Sequence, residues 1–235
     1  MYIVPEKLIS ELISLKTSYS AVEDVFSAMA KKKAYNFPVI RESIGYSNAL
    51  YGFKSGFDKE SLSLGLKAGG YWPENESMGI PNHQSTIFLF DANTGKISAI
   101  VGGNLLTAFR TAAASSISIN HLARQDSKVL GMIGAGHQSA FQMQAAAQQR
   151  GFEKILGWNH HPEMISRLEQ TAEELGIPYE TVSLDRLGAE SDVIITITSS
   201  FSAILKSYQV KPGTHIACMG TDTKGKQEVG SDLVA

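Results

Sequence analysis

Lys128 to Ile133 reads KVLGMI, a short apolar run without polar alternation, and Gly134-Ala135-Gly136-His137-Gln138-Ser139 follows it at once. An unbroken apolar run suits a strand buried on both faces, as in a parallel sheet covered by helices. The glycine stretch has the form G-x-G-x-x-S. The first glycine permits a tight turn, the second lets backbone approach a pyrophosphate, and a small third residue lets helix pack closely on strand. AFQMQAAAQQ then continues to Arg150 with helix-forming composition. The N–H groups of that helix's first turn have no partners inside it and would face the phosphates. Strand, turn and helix in this order predict a dinucleotide held on Gly134, Ala135, Gly136, His137 and Gln138. The other reading of the glycines is an ordinary tight turn.

The segments that follow repeat the alternation. Strands are expected at 154–159 (KILGWN), 179–183 (YETVS) and 192–198 (DVIITIT), helices at 137–150, 162–175 and 184–190, and a further strand from Thr214 to Met219. Strands and helices joined by short connections imply a parallel, right-handed, doubly wound sheet. The N-terminal part has another texture. After a short strand at Tyr2 to Val4, Pro5 opens a helix with Leu8, Ile9, Leu12 and Ile13 on one face. A second helix, capped by Ser18 or Ser20, carries Val22, Val25, Phe26 and Met29 and ends near Lys33. Aromatic and β-branched segments punctuated by glycine from Phe37 to Gly103 predict an antiparallel or mixed sheet. Its clearest hairpin turns at Asp91-Ala92-Asn93-Thr94-Gly95. A helix with a small-residue face from Leu105 to Ala123 connects the halves. The expected fold is α/β, with a Rossmann-type doubly wound sheet over 106–235 and an N-terminal α/β (α+β-like) domain over 1–105.

Composition narrows the partners. The chain has 21 basic and 23 acidic residues for a net charge of −2. The lysine run Lys31-Lys32-Lys33 is read as a solvated helix end, so nucleic acid is not an expected partner. A single cysteine, Cys218, excludes an internal disulfide framework, and no metal site is expected. No window approaches about 18 apolar residues and the N-terminus lacks a basic n-region. Neither membrane nor export is indicated, and a cytoplasmic location is expected.

Three separated motifs carry a resemblance. Leu106-Thr-Ala-Phe-Arg-Thr-Ala-Ala-Ala114, Leu130-Gly-Met-Ile-Gly-Ala-Gly136, and Pro212-Gly-Thr-His-Ile216 with Met219-Gly-Thr-Asp-Thr-Lys-Gly-Lys-Gln-Glu228 resemble the ornithine cyclodeaminase and mu-crystallin family of nicotinamide-dependent proteins. The resemblance implies a Rossmann-type domain beside an N-terminal domain that carries substrate contacts and forms a homodimer. It implies substrate binding by Arg41, Lys67 and Arg110, and catalytic roles for Lys67 and Asp222. The chemistry gives each a reason: a guanidinium matches a carboxylate bidentately, a lysine can neutralise charge or pass a proton, and an acid at a strand's carboxyl end can exchange a proton with a substrate nitrogen. Thr198 and Ser199 resemble the family's segment beside the nicotinamide ribose, and Thr111 and Met219 join the implied cofactor contacts.

Departures from the cyclodeaminase pattern refine this. Lys54 in YGFKSGF, and Asn82 and His83 in PNHQST, add polar groups suited to a small substrate with two carboxylates. His83 reads equally as a hydrogen-bonded core or turn residue. GFKSGFD, GLKAGGYWPEN and MGTDTKGKQEV resemble an imine reductase subgroup, which implies NAD(P)H-dependent reduction of a small ketimine acid such as iminosuccinate to the amino acid. The alternatives are an ornithine cyclodeaminase and a non-catalytic binding protein of crystallin type. Asn159 stands where an acid would bind the ribose 2′-hydroxyl, and His160 and His161 could meet a 2′-phosphate; NAD(P)H is expected, with NADH favoured. Family members continue well past the GKQEV motif, so the chain reads as shortened, with an incomplete Rossmann sheet.

Overall fold

The computed structural model describes residues 1–234. The chain divides into two compact units, Met1–Arg110 and a second from Thr111 onward.

The first unit begins with β1 (Tyr2–Val4), α1 (Glu6–Leu12), α2 (Leu15–Ala30), β2 (Ala34–Asn36) and β3 (Ile40–Ser43). It continues with β4 (Leu50–Asp58), β5 (Ser63–Tyr71), β6 (His83–Asp91) and β7 (Ile97–Gly102), then enters α3 (Asn104–Leu122), within which the two units meet in sequence. The sheet runs β1-β7-β6-β5-β4-β2, with β3 also paired to β4; β1 is parallel to β7 and the other pairs are antiparallel, so the mixed sheet expected from composition forms. The β6–β7 turn closes because Asp91 Oδ1 accepts the Asn93 and Thr94 N–H groups at 3.1 and 2.8 Å. One expectation is corrected here. α2 is capped by Ser14, whose hydroxyl accepts the Thr17 N–H at 3.2 Å while Thr17 reaches back to Ser14 N, and Ser18 and Ser20 lie inside the helix. The start of α3 is fixed by a residue far away in sequence. Glu6 accepts the Asn104 and Leu105 N–H groups at 3.1 and 2.7 Å, placing a carboxylate on the positive end of the helix.

The second unit contains β8 (Val129–Ile133), α4 (His137–Ala147), β9 (Lys154–Trp158), α5 (Ser166–Leu175), β10 (Tyr179–Thr181), α6 (Leu184–Glu190), β11 (Val193–Thr196) and β12 (His215–Cys218). All pairs are parallel, in the order β10-β9-β8-β11-β12. Leu130, Met132, Ile133, Ile155, Leu156, Ile194 and Ile195 are fully buried, as both-face coverage requires. Met132 and Ile195 pack with Met143 and Leu168 on one side, Ile133 and Ile194 with Leu156 and Leu187 on the other. Strand order reverses at β8, because β9 lies on one side of it and β11 on the other. In such sheets ligands bind outside the carboxyl ends of the strands at that point.

Candidate active site

In the first unit, register brings charges together that are distant in sequence. Lys54 on β4 lies directly opposite Lys67 on β5, and Lys67 opposite Ile87 on β6. Opposed residues share a face of the sheet. The next row on that face is Arg41, Gly52, Gly69 and Ser85, and the row after it holds Leu50, Tyr71 and His83. The row beside Arg41 stays bare, since a Cβ on Gly69 would fall 2.2 Å from Gln84 O. Leu106, Thr107 and Arg110, one stripe of α3, complete a cavity of about 570 Å³ whose strand-borne lining includes Lys54, Lys67 and Ile87. Three of the described lining residues are cations and none is an acid.

Lys67 Nζ donates to Thr107 Oγ1 at 3.0 Å, and Thr107 Oγ1 donates to Gly103 O at 2.7 Å. The hydroxyl proton is thus directed at the carbonyl and a lone pair at the ammonium, which sets the lysine head against α3. Like charges directly opposite on neighbouring strands repel. Negative charge in the cavity offsets that repulsion, so the arrangement suits an anionic ligand.

In the second unit, the turn after β8 has the geometry its glycines predict. Gly134 has φ +111°, and a Cβ there would lie 2.5 Å from Ile197 O. Gly134 N donates to Trp158 O at 2.9 Å, and Ala135 N to Asn159 Oδ1 at 3.2 Å. Asn159 Nδ2 in turn donates to His161 O at 2.8 Å, so its carboxamide fastens the turn to the end of β9. Gly136 begins α4 in extended conformation without a side-chain cap, and a Cβ built on it meets nothing within 4 Å. Nearby, Gln138 Oε1 is buried with no hydrogen-bond partner among the described residues. Open space over an uncapped helix start, whose first N–H groups face outward, fits a bound pyrophosphate. Arg167 on α5 adds positive charge, its Nη1 donating to Ala135 O at 3.0 Å. Burial, and then the Arg167 charge, holds His137 below its ordinary value, so its ring is neutral near pH 7.

The carboxyl ends of β11 and β12 are tied by a residue to which sequence reasoning assigned no role. Glu228, 1% exposed, accepts four hydrogen bonds: Thr196 Oγ1 at 2.8 Å, Thr198 N at 2.6 Å, Thr198 Oγ1 at 2.9 Å and Gly220 N at 2.7 Å. Four donors on a buried carboxylate replace its hydration. Met219 N donates to Thr196 O at 2.8 Å, and Ser199 is exposed beyond Thr198. Asp222 is exposed and ion-paired with Lys226 at 2.8 Å. Thr111 is buried in α3.

The structure therefore gathers Lys67 and Arg110 in one cavity and adds Lys54 to them. Arg41 shares their face one row away. His83 is on the same face a further row along, and Asn82 precedes β6, its carbonyl accepting the Trp72 N–H at 2.8 Å. Gly134 to Gln138 and Asn159 form the turn, while Thr198, Met219 and Asp222 follow the strand ends that Glu228 joins. Thr107, Arg167 and Glu228 are the additions. Thr107 and Glu228 stand inside two of the three quoted motifs, which was their available signal; nothing local marks Arg167. Among the described residues no group of three or more His, Cys, Asp or Glu could hold a metal, and no helix is long and apolar enough to cross a membrane.

A model described as the ornithine cyclodeaminase/mu-crystallin family matches residues 6–235. The chain is 64% identical over 235 residues to the iminosuccinate reductase of Paracoccus denitrificans, covering all of this chain and 73% of that protein. The crystal structure of that reductase in complex with NAD+ superposes with a TM-score of 0.95 over the whole chain and 73% of its own length. The Δ1-pyrroline-2-carboxylate reductase of Thermococcus litoralis, solved with NADH and L-proline, is 30% identical with a TM-score of 0.93, covering 100% of this chain and 73% of that one. The mouse ketimine reductase mu-crystallin is 31% identical over 172 residues, 73% of this chain and 54% of that protein.

Proposed function

The chain belongs to the ornithine cyclodeaminase/mu-crystallin family, and from that premise we propose that it reduces a small ketimine acid, iminosuccinate foremost, to the amino acid with NAD(P)H, NADH being preferred. The observation that carries this reading is the convergence of Lys54, Lys67 and Arg110 on one cavity. The 64% identity to an iminosuccinate reductase supports it.

The first unit binds substrate and the second binds cofactor. Gly134, Ala135, Gly136, His137 and Gln138 hold the pyrophosphate at the start of α4. Asn159 keeps the turn closed, and Thr111, Thr198, Ser199 and Met219 complete the cofactor contacts. When bound, the dinucleotide supplies the hydride that the imine carbon accepts. Arg110 grips the substrate carboxylate next to the imine, and Lys67, steadied by Thr107, shares that negative charge. A protonated imine is the better electrophile, and Lys67 Nζ or the Asp222 carboxyl keeps the proton on its nitrogen. Arg41 supports the same face, with Asn82 and His83 at its far end. A diamine substrate is a poor match, because Lys54 would repel a terminal ammonium inside the cavity.

The protein acts in the cytoplasm as a homodimer, with neither nucleic acid nor membrane as partner. The dimer reading is supported by the sheet face opposite Lys54, where Ile40, Tyr51 and Phe53 are 53%, 38% and 38% exposed. Exposed apolar side chains clustered on one sheet face mark an interaction surface.

The direct test follows NADH consumption with iminosuccinate formed from oxaloacetate and ammonia. Consumption coupled to aspartate formation is expected. A rate no higher than the enzyme-free control overturns the substrate assignment, and tight NADH binding without turnover on any ketimine favours a non-catalytic binding protein.

A further inference from the structure

We propose that Lys54 is the specificity-determining residue of this site: it binds the substrate carboxylate farther from the imine, and so sets a preference for dicarboxylic over monocarboxylic ketimines. This rests on the reading above that the cavity holds a ketimine acid.

The cavity has two sides. On the α3 side stand Thr107, Arg110 and, through its 3.0 Å hydrogen bond to Thr107, Lys67. These suffice for one carboxylate. Lys54 enters from β4, the next strand away from Lys67, and near it the lining continues with Ser55 and with Asn36 on β2, the strand paired to β4. A ligand gripped by Arg110 and Lys67 thus has Lys54 in the same cavity, on the side away from α3, to meet its other end. A monocarboxylic imine presents a methyl group there. A dicarboxylic imine presents an oxyanion to an ammonium whose flexible stem and three donors adapt to it.

The structure also separates Lys54 from the other residues that sequence departures associate with a second carboxylate. The cavity lining includes Lys54 but neither Asn82 nor His83. His83 pairs with Tyr71, four residues along β5 from Lys67, and Asn82 lies before β6. Of the three, Lys54 alone is placed to reach a ligand held by Lys67 and Arg110.

The experiment compares kcat/KM for iminosuccinate with kcat/KM for the imine formed from pyruvate and ammonia, in the wild type, Lys54→Met and Lys54→Arg. The dicarboxylate-to-monocarboxylate ratio is expected to fall about 30-fold in Lys54→Met, the loss residing mainly in KM. In Lys54→Arg it should stay within about threefold of wild type, since charge is retained. Because each ratio is internal to one variant, partial misfolding does not mimic the result. An unchanged ratio in Lys54→Met, or equal losses in both variants, overturns the proposal. Calorimetric titration of oxaloacetate and pyruvate onto the NAD+-loaded wild type and Lys54→Met supplies a reading independent of turnover. If the wild type fails to reduce iminosuccinate, the function above falls while this titration still decides Lys54: selective weakening of oxaloacetate supports it, and equal affinities in both proteins overturn it.

Discussion

Glu228 shows how much a single buried residue can organise. Its carboxylate receives the Thr198 N–H and hydroxyl, the Thr196 hydroxyl and the Gly220 N–H, all within 2.9 Å. It thereby ties the segment after β11 to the segment after β12. Glutamine in its place would turn an amide NH2 towards donors that already point inward, leaving at least one of them unpaired. Glu228→Gln is expected to lose about 1–3 kcal/mol of stability, and its NADH dissociation constant to rise about tenfold as Thr198 and Met219 lose their placement. Thermal melting and a fluorescence titration of NADH check this. Wild-type NADH affinity in the folded variant would leave Glu228 a purely structural residue.

At the scale of elements, the turn from β8 into α4 separates two roles that the motif merges. Gly134 is demanded by the fold, because its φ of +111° and the 2.5 Å approach of Ile197 O to a built Cβ leave no room for a side chain. Gly136 is not. Its φ of −71° suits any residue, and the space over it is open. Gly136→Asp should cap α4 and change the stability of the ligand-free chain by only a few tenths of a kcal/mol. The same carboxylate would occupy the helix N–H groups and repel phosphate, weakening NADH binding by more than about 100-fold. Gly134→Ala should instead destabilise the chain by roughly 1–3 kcal/mol. Melting curves and NADH titrations on the two variants distinguish the cases, and unaltered NADH affinity in Gly136→Asp would refute the cradle at that helix start.

At the scale of the whole molecule, the apolar sheet face of Ile40, Tyr51 and Phe53 predicts self-association. Sedimentation equilibrium should give twice the chain mass of 25.4 kDa, and Phe53→Glu should shift the species towards monomer; a monomeric wild type at micromolar concentration would exclude the dimer. What the sequence by itself determined was local. KVLGMI followed by GAG, the apolar runs at 154–159 and 192–198, and the Asp91 to Gly95 turn act through neighbours a few residues away. Strand, turn and helix were therefore legible, and with three spaced motifs so was the family. Helix starts were less so, because Ser14 and Ser18 offer similar hydroxyls and only the chain's path selects one. The tertiary structure alone decided which charges meet. Lys54 faces Lys67 only in one register of β4 on β5, and a slip of one residue would send either lysine to the opposite face. Thr107 reaches Lys67 across 40 positions and Glu228 reaches Thr196 across 32. Such contacts depend on how the whole chain packs, and no local pattern of residues encodes them.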